Sequence, residues 1–183
     1  MTEPTSVTVF QGERLLVRGP LAAVTTAMRA ASVADPAQTL LAFDDATGRQ
    51  QDVDLRDQPT PVAPERRPGR PKLGVVPREV TLLPRHWEWL NGQPGGASVT
   101  LRRLVDRARV DAQGADRQRQ ATEAADRFML AMAGDRPGYE EATRALYRGD
   151  RAALATHMTQ WPADIRAHVE HLLDATGAEA SAS

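Results

Sequence analysis

The residues with the most distinctive chemistry form a short run of cations and prolines in the middle of the chain. The run reads Glu-Arg-Arg-Pro-Gly-Arg-Pro-Lys over residues 65–72 and carries four positive charges. Arginine and lysine neutralise phosphate groups, and proline removes backbone N–H donors that a helix needs. The run therefore predicts an extended cationic segment whose ligand would be a polyanion such as double-stranded DNA.

This run resembles an AT-hook. Gly69-Arg70-Pro71 matches the hook core, in which glycine permits close approach to the minor groove, arginine enters it and proline keeps the backbone extended. Pro68 stands where an arginine normally precedes the glycine, so only one flank is cationic at close range. A solvated tether without a DNA contact is the alternative interpretation. The DNA contacts that the resemblance implies are Arg66, Arg67, Gly69, Arg70, Pro71 and Lys72.

The next segment, residues 78–110, resembles a ribbon-helix-helix, in which two chains pair their strands into a ribbon that enters the major groove. Glu79–Leu83 is the expected strand, Arg85–Asn91 the first helix, and Ser98 the cap of the second helix. The resemblance implies a homodimer. A structural strand–helix–helix that does not bind DNA is the alternative. The implied DNA contacts are Arg78, Thr81, Arg85 and Ser98, the last of them at a phosphate.

Apolar spacing predicts which helix faces are buried. We expect Trp87 in the core with Leu90, and Trp89 in a dimer or domain interface. The second helix has an apolar stripe of Leu101, Leu104, Val105 and Ala108, with Arg102, Arg103, Asp106 and Arg109 on its other face. Further core candidates towards the C-terminus are Ala121, Ala124, Ala125, Phe128, Met129, Met132, Tyr139, Leu146, Leu154, Met158, Trp161, Ile165, Val169 and Leu172.

Candidates for catalysis or metal binding are few. Asp44 and Asp45 are adjacent, but consecutive strand residues face opposite sides, so a turn cap is the favoured interpretation. Asp164, His168 and His171 share a predicted helical face, as metal ligands do, although His168 falls among core positions. The chain has no cysteine and no phosphate-loop or dinucleotide fingerprint. We therefore expect no enzymatic activity, no cofactor and no metal site.

The formal net charge of −1 conceals a strong asymmetry. Residues 65–109 hold ten cations and four anions, whereas the rest of the chain holds 13 cations and 20 anions. Attraction to a polyanion would therefore be local. All cations but Lys72 are arginines, which also fits a GC-rich coding sequence. Without a long apolar run or a secretory leader pattern, we expect a cytoplasmic protein that does not enter a membrane.

These patterns predict an α+β protein. The turn at Asp44–Arg49 is expected to lead into a strand at Asp52–Leu55, and helices are expected to start near Pro137, Asp150 and Pro162. The expected organisation is a ββαββ module over residues 1–56, a basic proline-rich linker over 57–77, a strand-helix-helix centre over 78–110, an all-helical part over 115–177 and a disordered tail over 178–183.

Taken whole, the chain closely resembles the bacterial family known as domain of unknown function 2239. The resemblance extends nearly end to end and is carried by Phe43–Arg49, Gly69–Val75, Arg78–Trp87 and Gln93–Ser98. It implies no activity and no site residue, because that family has no assigned function. From the residues, the leading hypothesis is a DNA-binding protein, either a transcriptional regulator or a nucleoid-associated factor. The alternative is a protein-interaction adaptor whose basic linker is only a tether.

Overall fold

The computed structural model describes residues 6–56, 76 and 78–174, which contain four strands and six helices and confirm the mixed α+β class. The chain divides into two compact units, one formed by Met1–Arg56 with Gly114–Ser183 and the other by Asp57–Gln113. The elements are β1 (Ser6–Gln11), β2 (Arg14–Pro20), α1 (Leu21–Ala34), β3 (Leu40–Asp44), β4 (Gln50–Gln51), α2 (Pro84–Asn91), α3 (Gly96–Ala133), α4 (Tyr139–Tyr147), α5 (Arg151–His157) and α6 (Ala163–Asp174).

The strands form one antiparallel sheet in the order β2-β1-β3-β4. Because strand side chains alternate between faces, Val7 and Val9 of β1 lie on one face and pack with Val24 and Met28 of α1. The prediction of a final strand at Asp52–Leu55 is wrong: β4 is Gln50–Gln51, which directly follows the turn and pairs with Phe43 and Ala42 of β3.

The other face of the sheet packs on the C-terminal helices through aromatic rings. The Phe128 ring of α3 lies 5.3 Å from the Phe10 ring and 5.0 Å from the Phe43 ring, measured between centroids. All three side chains are fully buried in a cluster that also includes Ile165 and Val169 of α6. The main core of the first unit therefore lies between the sheet and these helices.

The turn between β3 and β4 is built by Asp44 and Gly48. Asp44 Oδ1 accepts a hydrogen bond of 2.9 Å from the Thr47 backbone N–H, so Asp44 is a turn cap, as expected. Gly48 has a φ of +65°, in the left-handed region that glycine adopts freely. The turn touches α3, since Arg127 Nη1 donates to the Thr47 carbonyl oxygen at 2.8 Å.

The C-terminal helices begin close to the expected positions, at Tyr139, Arg151 and Ala163. Asp150 caps α5, because its carboxylate accepts a 2.9 Å hydrogen bond from the Ala153 backbone N–H. The long helix α3 continues through Gly114 without a break. Within the described ranges, none of the helices combines the length and the apolar character that crossing a membrane requires.

Candidate nucleic-acid interface

The basic run at 65–72 lies outside the described residues. Its predicted DNA contacts therefore stay predictions. The other four predicted contacts are described, and all are exposed. Arg78 and Thr81 precede α2, Arg85 lies in its first turn, and Ser98 lies in the first turn of α3.

The segment before α2 forms no strand in the single chain. The residues 79–83 make no ladder with any described strand, so the expected strand Glu79–Leu83 is absent here. A strand exists only when a second strand satisfies its N–H and C=O groups. The helix that follows begins at Pro84, after Leu83 with extended backbone angles of φ −67° and ψ 150°.

The tryptophans of α2 are both exposed, Trp87 by 37% and Trp89 by 53%. The expectation that Trp87 lies in the core is therefore wrong for the single chain, whereas Leu90, expected beside it, is buried. In the described part of the second unit, only Leu90 and Thr100 are buried. This segment encloses too little apolar surface to cover two indole rings.

The start of α3 differs from the expectation at Ser98. The helix begins at Gly96, so Ser98 lies inside the first turn and does not occupy the cap position. Gly95 and Gly96 have φ values of +87° and +73°, and this backbone shape lets the helix begin earlier. Ser98 stays exposed at the amino end of the helix, where N–H groups favour an anion.

The arginines of this segment have few acidic partners. Arg107 and Arg109 make only long, exposed ion pairs, at 3.8 Å to Asp111 and 3.9 Å to Asp106. The other four are exposed and pair with no carboxylate among the described residues; they are Arg78, Arg85, Arg102 and Arg103. In the first unit some arginines pair closely with carboxylates at 2.7–3.0 Å, as in Arg119–Asp116 and Arg127–Glu123. Others, such as Arg14, Arg49 and Arg148, are exposed and have no carboxylate partner among the described residues. Four of the six described arginines of the second unit thus lack a carboxylate partner.

The first unit contains a buried polar network that the sequence analysis missed. Arg18 of β2 donates from Nε to Thr8 Oγ1 at 2.9 Å and from Nη2 to His168 Nδ1 at 3.0 Å. Thr8 Oγ1 in turn donates to Asp45 Oδ1 at 2.7 Å. One signal was available: Thr8 is polar, yet it shares a strand face with the core residue Phe10.

The network holds His168 in its neutral form. Arginine can only donate, so Nδ1 of His168 accepts and its proton resides on Nε2. Burial, with help from the charge of Arg18 and from His171, lowers the pKa of His168 from 6.5 to about 3. His168 Nε2 lies 3.8 Å from Asp45 Oδ1, too far for a hydrogen bond. The network joins β1, β2 and the turn after β3 to α6. Thr8 donates to Asp45 and not to the imidazole, so the histidine does not activate this hydroxyl.

The remaining metal-site candidates do not converge. Asp164 Oδ2 accepts a 2.8 Å hydrogen bond from the Leu15 backbone N–H, while His168 is turned towards Arg18. The ring of His171 stacks beside that of His168, with centroids 5.9 Å apart. Within residues 6–56, 76 and 78–174, no group of three or more acidic or histidine side chains could hold a metal ion.

These features define a mixed α+β protein with one weakly neutralised, arginine-rich segment. Residues 6–173 match the family described as "Uncharacterized protein conserved in bacteria (DUF2239)", and the chain belongs to that family. No curated protein matches the chain, and no solved structure matches it.

Proposed function

We propose that this protein binds double-stranded DNA, as a transcriptional regulator or nucleoid-associated factor, through the segment from residue 65 to residue 113. The observation that carries the proposal is the set of four exposed arginines without carboxylate partners in the described part of this segment. An unpaired guanidinium can bind a phosphate without first breaking an ion pair. The basic run at 65–72 adds four more cations.

The cations of this segment contact DNA in two ways, one in the minor groove and the other at phosphates. Arg70 enters the minor groove of A·T-rich DNA, because its Gly-Arg-Pro surroundings suit a narrow groove. Arg66, Arg67 and Lys72 contact phosphates, as do Arg102 and Arg103. Phosphate contacts carry no base information, so these residues add affinity on every sequence.

Fluorescence anisotropy on A·T-rich and G·C-rich duplexes at several salt concentrations tests the proposal. The five phosphate contacts imply a slope of roughly −4 to −5 for log affinity against log salt. Replacing Arg66, Arg67, Arg70 and Lys72 by alanine should flatten this slope, and Arg70→Ala alone should weaken A·T-rich sites most. The double variant Arg102→Ala, Arg103→Ala should weaken both duplexes about equally.

The matched control is the double variant Arg49→Ala, Arg148→Ala. Both of these arginines are exposed in the first unit and removing them changes the net charge by the same amount. Binding should be almost unchanged in this control. Absence of binding by the wild-type protein, or an equal loss in the control and in the Arg102→Ala, Arg103→Ala variant, would reject the proposal.

A protein-interaction adaptor is the second candidate. The exposure of Trp87 and Trp89 favours it, because exposed tryptophan is typical of protein interfaces. A wild-type protein that fails to bind DNA would leave this function in place.

A further inference from the structure

The inference concerns a surface cavity of about 450 Å³ in the first unit, at the end of the sheet where β1 turns into β2. This volume is within the range of small-molecule sites. The lining residues come from the β1–β2 hairpin and from the segment that follows α1, and both belong to the first unit. They are Gln11, Arg14, Leu15, Leu16, Asp35 and Gln38.

Hydrogen bonds hold the two walls of this cavity in place. The Gly12 N–H in the hairpin turn donates to the Thr39 carbonyl oxygen at 3.0 Å, which ties the hairpin to the chain before β3. On the other wall, Asp35 ends α1 and its Oδ1 accepts a 3.3 Å hydrogen bond from the Ala37 N–H. The Gln38 side chain lies beside the turn, since its Oε1 is 3.7 Å from the position that a Cβ on Gly12 would take. The cavity therefore has its shape before a ligand enters.

The polar side chains around the cavity have hydrogen-bonding groups that the protein itself does not use. Within the described part of the chain, the side chains of Gln11, Arg14 and Gln38 make no hydrogen bond and no ion pair. Asp35 uses only Oδ1, in the bond to Ala37. Arg14 and Asp35 line the same cavity without pairing with each other. A guanidinium and a carboxylate are therefore both available to one ligand.

We propose that this cavity binds a zwitterionic small molecule of the α-amino acid class. The carboxylate of the ligand binds Arg14, whose planar guanidinium can donate two parallel hydrogen bonds to it. The ammonium group binds Asp35 at the C-terminal end of α1, where the helix carbonyl groups also attract a cation. The last turn of α1 contains no basic residue that would compete for this position.

The other lining residues favour an amino acid with an aliphatic side chain. The amides of Gln11 and Gln38 can donate to a carboxylate and accept from an ammonium group. Leu15 and Leu16 offer apolar surface to a hydrocarbon side chain. A simple anion would be repelled by Asp35 and a simple cation by Arg14. A ligand with both charges therefore fits the cavity better than a ligand with one.

Three ligands with the same branched hydrocarbon end test the charge requirement. L-leucine carries both charges, isocaproate only the carboxylate and isoamylamine only the ammonium group. In amide NMR spectra of the intact chain, L-leucine should shift the side-chain resonances of Gln11 and Gln38 and the backbone resonance of Gly12. It should bind at least about tenfold more tightly than either analogue. Equal affinity for the three ligands, or no shift with L-leucine at about 10 mM, would overturn the proposal.

Two variants assign the charges to their residues. Arg14→Met should weaken binding of L-leucine and isocaproate about tenfold and leave that of isoamylamine unchanged. Asp35→Asn keeps the oxygen that accepts from Ala37, and it should weaken binding of L-leucine and isoamylamine while leaving that of isocaproate unchanged.

The matched controls are Arg148→Met and Asp52→Asn. They remove the same charges from exposed positions of the first unit that do not line the cavity. Affinity for L-leucine should be unchanged in both controls. Losses equal to those in the cavity variants would overturn the proposal, because only the net charge would then matter. This site does not depend on the DNA binding proposed above, which anisotropy measures without any amino acid, so either proposal can fail alone.

Discussion

Arg18 of β2 donates a 3.0 Å hydrogen bond to Nδ1 of His168 on α6, two residues that are 150 positions apart in sequence. The same guanidinium donates a hydrogen bond to Thr8 Oγ1, so one side chain that extends to the surface is the partner of two buried groups. Arg18→Met keeps most of the aliphatic stem and removes every donor. We expect the free energy of unfolding to fall by about 1–3 kcal/mol, because Thr8 and His168 lose partners while staying buried. Urea denaturation measures the change.

Arg14→Met is the matched control for that variant. Arg14 lies on the same strand and is exposed, and its side chain makes no hydrogen bond or ion pair within the described part of the chain. Arg14→Met should change the free energy of unfolding by less than about 0.5 kcal/mol. Equal losses in the two variants would show that the network contributes no stability.

The second prediction concerns pH. Unfolded His168 takes up a proton near pH 6.5, whereas burial keeps the pKa of the folded group at about 3. Unfolding therefore binds a proton between these values, and the stability that is present above pH 6.5 is lost as the pH falls towards 3. We expect a loss of about 1.4 kcal/mol per pH unit below about pH 6.

Denaturation of the wild type and of His168→Gln at several pH values measures that loss. Carboxylates titrate in both proteins, so the difference between the two curves isolates the histidine. The curve of His168→Gln should be flatter between pH 6 and pH 5. Parallel curves would contradict the pKa of His168, as would an imidazole NMR resonance that titrates near neutrality in the folded wild type.

Gly48 gives a third prediction. A Cβ placed there would lie 1.9 Å from the carbonyl oxygen of Ala124 on α3, which is an impossible contact. Gly48→Ala must therefore move the turn away from α3, and we expect the free energy of unfolding to fall by at least about 3 kcal/mol. Thermal unfolding followed by circular dichroism will show the shift.

Gly149→Ala separates backbone strain from this contact. Gly149 has a φ of +69°, close to the +65° of Gly48, but a Cβ there meets nothing within 4 Å. Gly149→Ala should lower the free energy of unfolding by only about 1 kcal/mol, the effect of placing alanine in the left-handed region. If both alanine variants lose the same stability, the close approach of the turn to α3 is unimportant.

The fourth prediction tests the core. Phe128 touches the rings of Phe10, Phe43 and His168, so Phe128→Ala opens a cavity at the centre of the first unit. We expect a loss of about 3–5 kcal/mol. Leu130→Ala, two residues further along α3 and 62% exposed, should lose less than about 1 kcal/mol. Similar losses in the two would contradict the position of Phe128.

Apolar periodicity predicted the C-terminal core well. Phe128, Ile165 and Val169 were expected inside from spacing alone, and all are fully buried. These helices cover their apolar faces within one chain, so the local pattern and the final environment agree. At Trp87 they disagree, because periodicity identifies an apolar face but does not say whether the same chain covers it.

The polar network was beyond the reach of local patterns. Local patterns suggest a turn cap or a ligand at Asp45 and a core residue or a ligand at His168, yet nothing in their neighbourhoods along the chain pairs them through Thr8 and Arg18. The hydrogen bonds span 37 positions from Thr8 to Asp45 and 150 from Arg18 to His168. Only the sheet order β2-β1-β3, with α6 packed beside it, brings these groups together.

The bond from the Leu15 amide to Asp164 has a consequence for self-assembly. β2 is an edge strand, and a free N–H on an edge is a template on which another molecule can add a strand. Asp164 occupies this donor at 2.8 Å with a charged group that an incoming strand would have to displace. At the opposite edge, β4 is only two residues long, too short to guide a foreign strand. Both ends of the sheet thus resist growth into fibrils, and Asp164→Ala would expose one of them.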